Sequence, residues 1–142
     1  MAEIEQRLIL ETGTGNDLYG EDYTKAACRA VQDALHHSSI TMFRSLGMDH
    51  RRMRVQVTIA VQQPEKVDTA IVAAELPRGR AEVRAVRGGL NVHDAENGTT
   101  HVIATAAIEA WVPVDASAWK LSATGGCPRA GACAAAPIRP RG

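Results

Sequence analysis

Residues 8 to 31, LILETGTGNDLYGEDYTKAACRAV, hold most of the side chains in this chain that could do chemistry. Glu11 ends an apolar run, and a carboxyl group in such a spot can act as a general acid or base. It can equally pair with a cation or cap backbone N–H groups of the following segment. Asp17 and Tyr19 add a second acid and a phenol a few residues on. Gly13, Gly15 and Gly20 would let the backbone come close to a small polar ligand, with Lys25 as a cation and Thr58, further along, as a polar contact. The expected site is therefore catalytic Glu11, Tyr19 and Asp17 with ligand contacts from Gly13, Gly15, Gly20, Lys25 and Thr58.

A strand running through a glycine-rich loop into a helix is also the arrangement that binds phosphate, because free N–H groups and the helix dipole face the anion. GTGNDLYG has the spacing of neither a dinucleotide-binding turn nor a Walker loop, and Asp17, Glu21 and Asp22 would repel an anion. Metal binding has little support either. The histidines at 36, 37, 50, 93 and 101 form no i, i+4 pair on one helix, and Cys127 and Cys133 have five residues between them, which is not a zinc-ligand spacing. No metal and no cofactor are expected. Cys28 falls among alanines and reads as a buried, inert thiol. His36 and His37 suit the negative end of a helix.

The elements that must position these groups follow from periodicity. Residues 4 to 12 read as a strand ending in the glycine loop. From Asp22 to about Ser39 the positions Ala26, Ala27, Ala30, Val31, Ala34 and Leu35 recur at helical spacing, with Asp22 or Thr24 as cap. RMRVQVTIAV, 52 to 61, alternates between apolar and polar and is the clearest strand. Pro64 opens a short helix carrying Val67, Ala70, Ile71 and Ala74 on one side. Residues 80 to 92 read as a strand bulged at Gly88-Gly89, and Asn97-Gly98 turns the chain into a strand over 101 to 112.

The order predicts an α+β domain over residues 1–113, a single β-α-β-α-β-β sheet with two helices on one face. Residues 114–142, rich in Ala, Gly, Pro and Arg, are expected to form a mobile tail. The sheet's other face should carry Ile9, Val86, Ile103 and Trp111 beside Thr58, Thr105 and Glu109. Such a half-apolar surface suggests a homo-oligomer.

With 142 residues, and acids and bases equal at 16 each, the chain is the size of one domain and has no summed field to attract nucleic acid. MAEIEQR carries charge where a secretion signal would be apolar, and no run approaches the roughly 20 apolar residues needed to span a bilayer. A cytoplasmic protein with a small-molecule substrate and no membrane partner is expected. Three cysteines, an odd number, argue against a disulfide framework.

The string ETGTGNDLYGEDYTKAACRAVQDALHHSSI, with VQVTIAVQQPEKVD and RAVRGGLNV, resembles a family of short uncharacterised bacterial proteins with the pattern E-x-G-x-G-x-D-x-H-G-x-D-x-T-K-A. The resemblance covers roughly residues 6 to 112. This chain has Tyr19 where the family usually has His, and Thr58 where it has Lys, so any chemistry carried at those positions is altered here.

More distantly, the same segment is similar to one repeat of the ring-opening amidohydrolases, cyanuric acid hydrolase and barbiturase. In that likeness EDYTKA matches the helix start and Thr58 falls near the region of the dyad serine. Glu11 stands where the repeat has its catalytic lysine, so the Ser-Lys mechanism does not transfer. Those enzymes arrange three repeats around a pseudo-threefold axis, which implies that a single-repeat chain would trimerise. Together these readings point to an acid-base enzyme at a subunit interface, a cyclase, isomerase or lyase in a biosynthetic pathway. The alternatives are a noncatalytic homo-oligomer that binds a ligand or has a structural role, and an amide-ring hydrolase.

Overall fold

The computed structural model describes residues 3–37, 41–45, 47–115 and 117–118. Most of the segment expected to be a tail, with Cys127 and Cys133, lies outside the described residues. The elements run β1 (Glu3–Asp17), α1 (Tyr23–His36), α2 (Thr41–Ser45), β2 (Arg54–Val61), α3 (Thr69–Ala74), β3 (Arg80–Arg87), β4 (Leu90–Asp94) and β5 (Thr99–Asp115). The five strands form one mixed sheet in the order β1-β5-β2-β3, with β4 also on β5. The domain is α+β, as the alternation of strand and helix predicts.

β5 is the spine. It pairs antiparallel with β1 from Asp17↔Val102 to Glu3↔Asp115, and antiparallel with β2 from Arg54↔Trp111 to Ala60↔Thr105. β2 and β3 are parallel, and α3 supplies the crossover that a parallel pair requires. Ile103 is opposite both Asn16 and Leu90, so β4 lies on the β2 side of β5, end to end with β2. The segment read as one bulged strand is therefore two strands with different partners. Gly89 makes the transfer possible: its φ is +61°, and a Cβ there would meet the Ile103 carbonyl oxygen at 2.4 Å.

The alternation in β2 is realised in full. Val55, Val57, Ile59 and Val61 are buried under the helices with Val102, Ala104, Ala106, Ile108, Ala110 and Val112 of β5. Against them α1 places Ala26, Ala27, Ala30, Val31 and Ala34, all fully buried. The core is built from small side chains, and the layers are correspondingly close.

β1 does not stop at Thr12 but continues to Asp17, which corrects the expected glycine loop. Gly13 and Gly15 belong to the strand and face α1. A Cβ on Gly13 would meet the Ala30 oxygen and the Ala34 nitrogen at 2.4 Å, and one on Gly15 would meet the Ala26 oxygen and the Ala30 nitrogen at 2.3 Å. The helix backbone rests directly on the strand backbone, which only glycine permits. The same helix closes part of the strand's outer edge: Asp33 accepts from the Thr14 N–H at 2.9 Å, and Arg29 donates to the Asn16 carbonyl. An exposed edge is thereby satisfied by side chains one helical turn apart.

Two further expectations are corrected. A β-bulge between Arg7 and Ile9 resets the parity of β1, so Ile9 packs on the helix side and Leu10 takes the other face. In α3 the cap is Asp68, whose carboxylate accepts from the N–H groups of Ala70 and Ile71; Pro64–Lys66 forms a separate 3-10 turn. The side of the helix turned inward is that of Val72, which is buried, while Ala70, Ile71 and Ala74 of the expected apolar side are exposed.

The close contact carries an expected outcome. Gly15→Ala should lower the free energy of unfolding by about 1–3 kcal/mol, because two backbones must separate. Thr12→Ala, on the other face of the same strand, should stay within about 0.5 kcal/mol. Urea denaturation compares them, and superimposable curves for wild type and Gly15→Ala would disprove the requirement.

Candidate functional site

Asp17, at the end of β1, is 3% exposed. Its Oδ2 accepts the Asp22 N–H at 3.0 Å, and Oδ1 lies 3.5 Å from Lys25 Nζ and 3.6 Å from Arg29 Nη1. The backbone hydrogen bond from Asp22 is the largest cause holding its carboxyl below the usual range, with the charges of Lys25 and Arg29 adding to it against the cost of burial. Gly20 passes so close that a Cβ would meet Asp17 Oδ2 at 2.7 Å, and Glu21 turns the chain at a φ of +49°. Asp22 then caps α1 by accepting from the Lys25 N–H. Asp17, Gly20 and Lys25 thus build the start of α1, and Gly13 and Gly15 seat the helix further along.

Thr24 extends this construction. Its hydroxyl donates to the Lys66 carbonyl at 3.3 Å and accepts from the Asp68 N–H at 2.9 Å, tying the start of α1 to the cap of α3. Sequence reasoning offered Thr24 only as a cap.

Tyr19 and Thr58 lie elsewhere. Tyr19 is 79% exposed and meets the His101 ring edge-on at 6.1 Å. Thr58 sits on the uncovered face of the sheet, where its hydroxyl accepts from Arg84 Nε at 3.0 Å. That face carries exposed Leu10, Val86, Leu90 and Val92, and Trp111 lies between the guanidinium groups of Arg7 and Arg54 at 5.9 and 5.4 Å. Arg7 pairs with Glu109, and Arg54 with Glu5.

Glu11 is on the opposite, helix-covered face. Its parity matches Gly13, Gly15 and Asp17, and it lines a pocket of about 60 Å³ whose walls include Ile9, Leu35, Met53, Val55, Arg78 and Ile108. Glu11 is half-buried. Neither the Glu11 nor the Arg78 side chain has an ion-pair or hydrogen-bond partner among the described residues. Leu76, Pro77 and Arg78 are shared with an adjoining cleft of about 350 Å³ lined also by His50, Arg51, Gly79 and Arg80. The two form one depression, apolar at its inner end and basic at its outer end. A single chain therefore does not bring the expected site residues together, since Glu11 is separated by the sheet from Tyr19 and Thr58. Arg78 was missed, because the LPRG segment reads as a turn and its place in the Glu11 pocket depends on the fold.

Cys28 is half-buried on α1, and burial, with the charges of Glu75 and Asp22, pushes its thiol upward. It is a poor nucleophile, as its setting among alanines suggests. Among the described residues no helix is long and apolar enough to cross a membrane.

A mixed sheet with helices on one face defines a small α+β domain. The chain belongs to the family described as Conserved hypothetical protein (Lin0512_fam), whose model matches residues 7–110. It is similar to an FtsZ-like protein of unknown function from Nostoc punctiforme, known from its crystal structure: 31% of residues are identical, the TM-score is 0.70, and the match covers 80% of this chain and 100% of the other. No curated protein matches the sequence.

The environment of Asp17 sets a pH dependence. Its folded value is depressed, so the stability it contributes is present above the ordinary carboxylate value and is lost as pH falls through the lower folded value. Asp17→Asn should cost roughly 1–3 kcal/mol at neutral pH, and the gap to wild type should narrow below about pH 4. Denaturant midpoints across pH measure this, and a gap that stays constant into acid would refute the assignment.

Proposed function

We propose that this protein is a small-molecule enzyme in which Glu11 moves a proton to or from a substrate seated in the pocket under α1, in a cyclisation, isomerisation or lyase reaction. The observation that carries the reading is the half-buried Glu11 carboxylate among apolar side chains, with no partner among the described residues. Its apolar neighbours in the pocket offer it no hydrogen bond or counter-charge, and a ligand can supply the missing partner. Asp17 and Lys25 are occupied with each other, which leaves Glu11 as the acid free to act.

Homo-oligomerisation through the uncovered sheet face accompanies this reading. Leu10, Val86, Leu90 and Val92 are exposed there beside both Arg and Glu side chains, a mixture of signs that a second copy of the same face can complement. The amidohydrolase resemblance favours three copies, in which Tyr19 and Thr58 would line the junction rather than the Glu11 pocket.

Glu11→Gln should leave the thermal midpoint within about 2 °C, since the substitution removes no partner. It should reduce turnover by about 10²–10⁴-fold, the range of general acid-base catalysis. Depletion of substrates from a bacterial metabolite extract, followed by mass spectrometry, makes the comparison. Equal depletion by wild type and Glu11→Gln, or no depletion by either, would favour the noncatalytic oligomer. For assembly, light scattering should return a multiple of 15.2 kDa, reduced to that mass by Leu90→Asp. A wild-type monomer at micromolar concentration would overturn it.

A further inference from the structure

We propose that the ligand of the Glu11 pocket is a small organic anion, a carboxylate or phosphate ester with an apolar portion, bound with its anionic group at Arg78 and its apolar portion toward Glu11. This rests on the reading of that pocket as the substrate site and adds the class of substrate.

The outer part of the depression is lined by His50, Arg51, Arg78 and Arg80 and by no acid among the described residues. In a chain with equal numbers of acids and bases, such a lining is a local excess of basic side chains, and a concave wall concentrates the charge that is not already paired. The cations are not equivalent. Arg51 is already held by Asp49, through hydrogen bonds of 3.0 and 3.1 Å. Arg80 shares its charge with Glu5, whose carboxyl it helps to lower. Arg78 has no such partner among the described residues and stands at the boundary between the basic and apolar parts.

The backbone holds this group in place. Gly79 has a φ of +83°, and a Cβ there would meet the Met53 carbonyl oxygen at 2.9 Å. The same oxygen accepts the Arg80 N–H at 2.9 Å, so the turn between α3 and β3 is fastened to the residue preceding β2. Arg78 and Arg80 are thus carried on a fixed turn rather than a free loop, and little ordering is needed when an anion arrives. A guanidinium suits this role because its planar donors can engage two oxygens of a carboxylate or phosphate.

Charge also sets the direction of binding. An anion at the inner end would face the Glu11 carboxylate across an apolar gap, an unfavourable like-charge contact. At the outer end it meets Arg78, and the uncharged part of the molecule is presented to Glu11, where proton transfer would occur.

The test uses amide chemical-shift titrations of the full-length isotope-labelled protein with four probes: hexanoate, hexyl phosphate, hexanol and inorganic phosphate. The two amphipathic anions should perturb residues 9–11 and 76–80 together, inorganic phosphate only 76–80, and hexanol should bind at least about tenfold more weakly than the anions. Whichever of hexanoate and hexyl phosphate binds more tightly identifies the head group. Arg78→Ala should weaken both anions by about 10–100-fold without changing hexanol, Arg78→Lys should restore part of the loss, and Glu11→Gln should leave anion binding equal or tighter. Hexanol binding as tightly as hexanoate, an Arg78→Ala variant that binds anions normally, or no perturbation at either segment would overturn the assignment. The turnover comparison for Glu11→Gln is independent of these titrations, so the substrate class can fail while the acid-base role stands.

Discussion

The contact between the backbones of β1 and α1 is the constraint on which the other arrangements depend. Ala26, Ala30 and Ala34 present a smooth surface at successive turns of the helix, and Gly13 and Gly15 present no side chain at all, so the two elements touch through their main chains. At that separation Asp33 and Arg29 can reach the strand's edge, and Asp17 can receive both the Asp22 N–H and the positive side chains of the helix. Moving the helix outward by the width of a methyl group would loosen each of these contacts. Packing in a core of small residues has little means of adjusting, because no long side chain can swing into the gap.

The same proximity separates two kinds of acid in a short stretch of chain. Asp17 is drawn into the framework, with its oxygens engaged by a backbone N–H and two cations. Glu11 has the same parity on the same strand but lies beside Leu35, where α1 offers only hydrocarbon. Chemical availability is therefore set by which turn of the helix lies above each acid, not by the acid's identity.

Much of the architecture could be read from the chain. β2 shows its alternation because one face is buried and the other is not, and α1 announces itself by a repeating apolar stripe and an Asp cap. What could not be read arose where one residue type serves two purposes. Gly13 and Gly15 suit a loop and suit a strand under a close helix, and only the alanine spacing on α1 distinguishes the two. Gly88-Gly89 suits a bulge and suits a change of partner strand. The side on which Glu11 falls depends on the bulge between Arg7 and Ile9, which has no marker in residue type. Glu11 and Asp17 were legible as notable acids, but their opposite uses were not, and Arg78 came into view only once the turn before β3 was placed beside β1.

β5 has a consequence for how the chain can acquire its structure. It is the last strand in sequence among the described residues, yet it lies between β1 and β2, which have no other hydrogen-bonded route to each other in the sheet. A ribosome-bound chain that has released β1, α1 and β2 still lacks the strand that would join them, and Glu3 waits for Asp115 before its end of the sheet can close. Assembly is thus postponed until nearly the whole domain has emerged, and then proceeds through contacts between distant parts of the sequence, the slower kind. Until that moment β1 and β2 offer unpaired edges to their surroundings, so the chain is most exposed to wrong partners just before it is complete.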